Sequence, residues 1–311
     1  MRSRFGVIGP ALEWFKSYLS DRRFRVHVQG GVSTTRSFKC GVPQELDDAK
    51  RKIVACVGDI DKWMTRSKLK LNADKTEILV LSAAHHPRPP VGSFYFCNYD
   101  ISPSSSVRDI GVVFDEHLSL EKQVTSICKS CFFHIKNIWK IRRFISLEAC
   151  ETLVHALISS RLDSCNSLLY GLPKYLLQKL QHVQNAAARV VSCCHKHDHI
   201  TPVLYRLHWL PVEQRIEFKI LSLTFKALNN AAPSYICELL KPYMPSRSLR
   251  SSSANLLTKG SFRLKKYGKR AFVVAAPGLW NSLLPSLRSC ETISSFKCGL
   301  KTFLFTRVFN M

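Results

Sequence analysis

The hydrophobic pattern of the chain changes near residue 116, and this change limits the folds that the chain can adopt. Before that point, apolar and polar residues alternate over short runs such as residues 24–28, and such alternation is typical of half-buried strands. After it, apolar residues recur at every third or fourth position, which predicts helices over residues 120–144, 146–160 and 173–193. The sequence therefore predicts an α+β fold.

This pattern divides the chain into three predicted regions. Residues 1–115 are rich in predicted strands, namely 24–28, 33–40 and 94–99, together with two helices at 10–19 and 49–68. Residues 116–200 are helical, with Ser146 as a predicted helix cap. Residues 201–311 are also mostly helical and contain a Ser/Arg-rich linker near 246–253.

The charge of the chain is strongly positive. The 46 Lys and Arg residues outnumber the 22 Asp and Glu residues, which gives a net charge of +24 over 311 residues. The basic residues are spread along the chain, so a broad cationic surface is favoured over a short localisation signal. Such a surface predicts a polyanion partner, with nucleic acid first and acidic membrane second; the alternative is a solvated basic surface without a ligand.

Membrane and secretion signals are not evident in the sequence. No apolar run reaches the roughly 18 residues of a membrane span, and the N-terminus has no apolar core of the secretory type. The 12 Cys residues are scattered rather than spaced as a disulfide framework. We therefore expect no membrane partner and an intracellular location with mostly reduced thiols.

Two adjacent carboxylates, Asp47 and Asp48, stand where the helical pattern of residues 49–68 begins. Two-metal phosphoryl transfer needs carboxylates that a rigid scaffold holds at a fixed spacing. The residues on either side of this pair do not form apolar strands. At the start of a helix, Asp caps free backbone N–H groups and complements the helix dipole. We therefore interpret the pair as helix-capping residues.

Several segments of the chain resemble the reverse transcriptase of non-LTR (LINE-type) retrotransposons. Residues 38–44, which end in Gly41-Val42-Pro43-Gln44, resemble the motif that enters the palm of that enzyme. Residues 69–81 resemble its fourth palm motif, a Leu-x-Leu-Asn-x-x-Lys-Thr turn that leads into an apolar strand. Further similar segments are 107–115, 208–219, 276–283 and 303–305. The resemblance implies a fingers/palm remnant in residues 1–115, followed by a helical thumb and a C-terminal region.

The resemblance also implies that the catalytic segment has been deleted. In the family, Gly-Val-Pro-Gln is followed by a helix and then by a strand-turn-strand with the catalytic Asp-Asp pair, whereas here Gln44 runs directly into Asp47-Asp48. A third catalytic Asp would precede Met1. The family enzymes are RNA-directed DNA polymerases that use Mg²⁺. For this chain the resemblance implies no catalytic residue, no metal site, no cofactor and no small-molecule substrate, and it leaves RNA or DNA as the partner.

Three classes of function remain open at this point. The chain is an inactive nucleic-acid-binding protein, a decayed element product without a function, or an incorrectly assembled version of an active polymerase. In the second case, loss of the central strands would leave residues 78–81 at an exposed sheet edge. An unpaired edge would make residues 1–115 poorly stable.

Two residues are assigned to the nucleotide and template side by the resemblance. Gln44 would contact template or incoming nucleotide, and otherwise it is an ordinary loop residue. Lys75 would neutralise charge on the leaving pyrophosphate or protonate it. Otherwise Lys75 is a solvated turn residue that Asp74 caps.

Two clusters of basic residues are candidates for contact with nucleic acid. The first cluster consists of Lys136, Lys140, Arg142 and Arg143, and the second, around Tyr267, of Arg263, Lys265, Lys266, Lys269 and Arg270. The cations of the first cluster could follow a phosphate backbone while the neighbouring rings Phe132, Phe133, His134 and Trp139 pack inward. For both clusters the alternative is a solvated helix face.

Residues 193–199, Cys-Cys-His-Lys-His-Asp-His, contain side chains of the types that bind zinc. Alternating His residues on one short segment do not converge on a metal without ligands from elsewhere. Cys128 and Cys131 have a Cys-x-x-Cys spacing but lie on a predicted helix. We therefore expect no metal site here.

Overall fold

The computed structural model describes residues 22–24, 27–28, 31–32, 36–38, 46–83, 91–96, 99–195, 197–244, 255–262 and 265–309. The chain forms two compact units, Met1–Leu118 and Ser119–Met311. The described residues mix helices with short antiparallel strand pairs, so the α+β prediction is confirmed at this level. The predicted helix at 10–19, Gln44 and the linker near 246–253 lie outside the described residues.

The described strands at the start of the first unit pair as the predicted hairpin requires, but they are shorter than expected. Strand β1 (Arg22–Phe24) pairs with β4 (Arg36–Phe38), and β2 (His27–Val28) pairs with β3 (Gly31–Val32). Both pairs are antiparallel, with Arg22 opposite Phe38 and Val28 opposite Gly31.

Helix α1 (Leu46–Arg66) follows, and a short 3₁₀ turn covers Ala73–Lys75. The apolar strand expected at residues 78–81 is not formed. Leu79 makes one isolated parallel bridge to Ser104. The Ser104 N–H donates to the carbonyl of Ile78 at 2.8 Å, whereas the carbonyl of Glu116 accepts from the Ser82 N–H at 2.9 Å. Because these bonds go to two separate segments, no continuous ladder extends the bridge into a strand.

Two further hairpins complete the first unit. The single strand predicted at 94–99 is instead a pair, β5 (Phe94–Phe96) and β6 (Tyr99–Ile101), and Phe94 and Phe96 point to a buried side. Strands β7 (Ser106–Asp109) and β8 (Val112–Asp115) form the second hairpin. Its turn residues, Ile110 and Gly111, have φ values of 45° and 82°, as a tight type I′ turn demands.

The second unit is helical in all its described elements, and the helices predicted over 120–144, 146–160 and 173–193 are confirmed. Helix α2 (Glu121–Ile141) runs into a 3₁₀ turn at Arg142–Phe144. Helix α3 (Leu147–Val154) continues through a π-helical turn at His155–Ser159 into α4 (Ser160–Asp163). Another 3₁₀ turn covers Asn166–Leu169. The helices are α2 (Glu121–Ile141), α3 (Leu147–Val154), α4 (Ser160–Asp163), α5 (Lys174–Ser192), α6 (Ile200–Arg206), α7 (Val212–Leu228), α8 (Ser234–Cys237), α9 (Lys265–Gly268), α10 (Phe272–Asn281), α11 (Pro285–Arg288) and α12 (Ile293–Phe309).

The core of the second unit has two centres. Helix α2 packs on α5, and α7 packs on both α10 and α12. At the second centre, the ring of Phe296 stacks on Phe225 with a centroid distance of 4.4 Å and lies 5.7 Å from the ring of Trp280. All three side chains are buried. Aromatic burial on this scale supplies a large share of the folding energy of a helical unit.

Polar side chains fix the ends of several helices. Ser146 Oγ accepts a hydrogen bond from the Ala149 N–H at 3.1 Å, so the predicted cap of α3 is confirmed. Gln184, which is buried, donates to the carbonyl of Leu210 at 2.8 Å. The neighbouring Gln181 accepts from the Val212 N–H at 2.9 Å. These two bonds hold the start of α7 against α5.

Candidate nucleic-acid interface

The Asp pair lies in the first turn of α1, where Asp48 is an ion-pairing residue. Asp48 Oδ2 is 2.6 Å from Lys52 Nζ, and Oδ1 is 3.5 Å from Arg51 Nη2. The hydrogen bond from Lys52, together with the charges of both cations, lowers the pKa of the Asp48 carboxyl. A negatively charged carboxylate in the first turn interacts favourably with the positive end of the helix dipole.

Lys75 lies exposed in the 3₁₀ turn of the first unit. Its backbone N–H donates to Asn72 Oδ1 at 3.2 Å, and Thr76 Oγ1 donates to the Asn72 carbonyl at 2.7 Å. The expectation that Asp74 caps this turn is therefore wrong. Asn72 has both an amide oxygen and a carbonyl positioned to accept, and it closes the turn instead.

One face of α2 is buried in the core of the second unit. Its buried residues include the series Val124, Ile127, Cys131, Ile135 and Ile138, which recurs at spacings of three and four. Burial raises the pKa of the Cys131 thiol to about 11 and also raises the pKa of Cys128. Both thiols stay neutral at physiological pH, so they behave as small apolar residues.

The opposite side, here named the outer face of α2, carries cations and exposed rings. It consists of Lys129, Phe132, Phe133, Lys136, Trp139 and Lys140. The side chains of Phe133, Trp139 and Phe132 are 63%, 58% and 44% exposed. The expectation that these rings pack inward is wrong, because the aliphatic series already occupies the buried face. At about 100° per residue, the six residues of the outer face share roughly a third of the helix circumference.

All charged residues of the outer face are basic. There is no acidic residue in the sequence from Lys122 to Leu147. From Lys129 to Lys140 the helix rises by about 16 Å, at about 1.5 Å per residue. Positive side chains therefore lie along the helix without a carboxylate between them, and a line of this kind attracts a phosphate backbone.

Arg142 was grouped with the binding cations, but it has a structural role. Its guanidinium donates to the carbonyls of Val190 at 3.0 Å, Val191 at 3.1 Å and Ile145 at 3.1 Å. Val190 and Val191 belong to the last turn of α5, where helix carbonyls have no partner within the helix. Arg142 is half-buried and satisfies these groups, so its guanidinium is engaged within the fold.

Arg143 and Phe144 extend the basic and aromatic surface beyond the end of α2. Both side chains are exposed. The guanidinium carbon of Arg143 lies 4.6 Å from the centre of the Phe144 ring, within the range of a cation–π contact. Adjacent arginines thus have different roles, since Arg142 points into the fold and Arg143 points to solvent.

The second basic cluster is only partly described. Arg263 lies outside the described residues, Lys265 and Lys266 lie on α9, and Lys269 is exposed. Arg270 donates to the carbonyl of Leu168 at 3.3 Å, so part of its guanidinium is engaged within the fold.

Because Gly171 has no side chain, Arg270 can pack closely against its backbone. A Cβ at Gly171 would lie 2.9 Å from Arg270 Cγ, and the φ of Gly171 is 69°. The left-handed backbone and the close approach of Arg270 both favour glycine at this position.

Residues 193–195 and 197–199 form the end of α5 and the loop that follows it. Cys193 has a left-handed conformation and its N–H bonds to the Arg189 carbonyl, as at a helix C-terminus. Asp198 Oδ2 accepts from the His195 N–H at 2.7 Å. Across the described part of the chain, no group of three or more His, Cys, Asp and Glu side chains is placed to hold a metal ion.

Within the described residues, every helix is too short or too polar to cross a lipid bilayer. Comparison with known proteins finds no matching family model, no similar curated protein and no similar solved structure.

The sequence named Lys136, Lys140 and Arg143, which are exposed in the structure, as candidates, but it did not lead to Lys129 or to the exposure of the rings. The signal was present in the sequence. The spacing of Val124, Ile127, Cys131, Ile135 and Ile138 defines the buried side of α2 without any aromatic residue. Placing the rings on the remaining arc would have predicted their exposure.

Proposed function

We propose that the chain is a truncated RNA-directed DNA polymerase of non-LTR retrotransposon type, without polymerase activity, that binds RNA or DNA through the outer face of α2. The likeness of residues 38–44 and 69–81 to palm motifs supports the polymerase origin. The observation that carries the binding function is the line of exposed cations on α2, which no carboxylate interrupts.

The electrostatics of the outer face favour a polyanion over other partners. Lys129, Lys136 and Lys140 have no ion-pair partner within the described residues. Lys179, by contrast, lies 3.5 Å from Glu121, so part of its charge is compensated. Uncompensated cations on one helix face release counterions from the nucleic acid on binding.

The test replaces these three lysines by glutamine together. Each phosphate contact contributes a slope of about 0.7 for single strands and about 0.9 for duplexes to the salt dependence of log affinity. The triple variant Lys129→Gln, Lys136→Gln and Lys140→Gln should therefore reduce the slope by about 2 to 3. Fluorescence anisotropy titrations of labelled RNA and DNA at several salt concentrations measure it.

A second triple variant serves as the control. Lys226, Lys297 and Lys301 are exposed on α7 and α12, and their replacement by glutamine removes the same net charge. This control should leave the slope nearly unchanged. Equal losses in both variants would show that net charge alone attracts the nucleic acid and would overturn the assignment to α2.

The absence of polymerase activity is tested separately. Asp48 lies in a helix and forms ion pairs with Lys52 and Arg51, so it is not held as one of two metal-bridging carboxylates on strands. The purified chain, given a primed RNA template, deoxynucleotides and Mg²⁺, should extend no primer beyond the background of a chelated sample. Extension that requires Mg²⁺ and disappears on chelation would contradict this part of the proposal.

A further inference from the structure

We infer that the outer face of α2 selects single-stranded nucleic acid, RNA or DNA, by stacking unpaired bases on its exposed rings. This inference rests on the proposed binding function and adds the form of the ligand. It is carried by the rings of Phe132, Phe133 and Trp139, which lie among the cations of the same face.

The rings and the cations of the outer face are close neighbours along the helix. Lys136 lies at the centre of the face, with Phe132 and Trp139 toward one side of it and Phe133 toward the other. Each ring is within one helical turn of a lysine, because spacings of three and four residues bring side chains together. A strand that places its phosphates on the lysines therefore has its bases within reach of the rings, the combination found in single-strand-binding grooves.

The exposed rings favour a single strand over a duplex. In a duplex the faces of the bases are covered by their neighbours in the stack, so a protein ring can reach only their edges. In a single strand the base faces are free, and every base offers a π-face to an aromatic side chain. A duplex would use the cations of the outer face and leave Phe133 and Trp139 in contact with water.

The composition of the outer face also argues against a protein partner. Cores of protein interfaces are depleted of lysine, whereas here Lys136 lies between the rings. A second copy of the chain docked on the same face would bring Lys129, Lys136 and Lys140 close to identical cations, and like charges at close range are costly. A polyanion would instead be attracted to these lysines, and its bases would cover the rings.

The test uses the full chain with Phe133→Ala and Trp139→Ala combined. Both side chains are exposed, so the variant removes rings without opening a cavity in the core. Anisotropy titrations use labelled RNA and DNA single strands of about 16 nucleotides, the upper end of typical site sizes, and the matching DNA duplex. The double variant should lose about 5-fold to 150-fold in affinity per removed ring for both single strands, and less than about 3-fold for the duplex.

Two further variants separate stacking from general effects. Tyr235 on α8 is 67% exposed and lies outside the outer face, so Tyr235→Ala should leave all affinities unchanged. Trp139→Phe keeps a ring and should retain most of the single-strand affinity. It should also abolish the quenching of tryptophan fluorescence that a base stacked on Trp139 produces.

Each alternative outcome is distinguishable. Equal affinity for single strand and duplex, unchanged by the ring variant but weakened by the triple lysine variant, would overturn the single-strand inference and leave the proposed function standing. No dependence on either the rings or the lysines would overturn both. If sedimentation shows a dimer that the ring variant dissociates while nucleic-acid affinity stays constant, the rings form a protein interface, and the inference is wrong.

Discussion

Replacing Phe296 by alanine should destabilise the second unit by about 3–5 kcal/mol, the range for loss of a large buried aromatic side chain. Phe296 is 0% exposed and stacks on Phe225 at 4.4 Å, close to Trp280. The variant loses the burial of its own ring and leaves a cavity between α7, α10 and α12. Thermal unfolding followed by circular dichroism should show a decrease in Tm of roughly 10 °C for a unit of this size.

The matched control is the same substitution at an exposed ring. Phe133→Ala removes a side chain that is 63% exposed, so its stability should stay within about 0.5 kcal/mol of the unchanged chain. A similar loss at both positions would contradict the assignment of Phe296 to the core. Urea unfolding provides a second measure, because the midpoint should fall for Phe296→Ala and remain constant for Phe133→Ala.

Replacing Arg142 by alanine should cost about 2–4 kcal/mol of stability. Three carbonyls, those of Val190, Val191 and Ile145, lose a charged donor, and such hydrogen bonds contribute about 1.5–3 kcal/mol each without being additive. Arg142→Lys should recover only part of the loss, since an ammonium group has no planar fork to reach separate carbonyls. Chemical unfolding of the variants gives the free energies directly.

The neighbouring arginine provides the opposite expectation. Arg143 is exposed, and within the described residues it donates no hydrogen bond to a backbone carbonyl, so Arg143→Ala should keep the stability of the chain. It should instead weaken the binding of nucleic acid and reduce its salt dependence. If Arg142→Ala weakens binding at full stability, Arg142 belongs to the interface after all.

The helical part of the fold could be predicted from the sequence to a large extent. The spacing of apolar residues predicted α2 and α5 within a few residues of their ends, and Ser146 was identified as the cap of α3. These features are local, because periodicity and capping depend on residues within one or two turns.

Features that depend on distant residues were missed. The segment at 78–81 has the composition of a strand, yet a strand needs a ladder partner, and within the described residues Leu79 forms an isolated bridge to Ser104. Arg142 looks like its neighbour Arg143 in the sequence. Only the position of the α5 terminus, about 50 residues away, makes it a structural residue.

The division of α2 into a packed face and an outer face has a consequence for how the chain evolves. Substitutions at Val124 or Ile135 disturb folding, so any function that needs the folded chain constrains these positions. Substitutions at Phe133 or Trp139 cost almost nothing in folding, so random mutation soon replaces such rings in a product that is not under selection. The outer face therefore drifts at the rate set by function alone, while the buried face drifts at the rate set by folding.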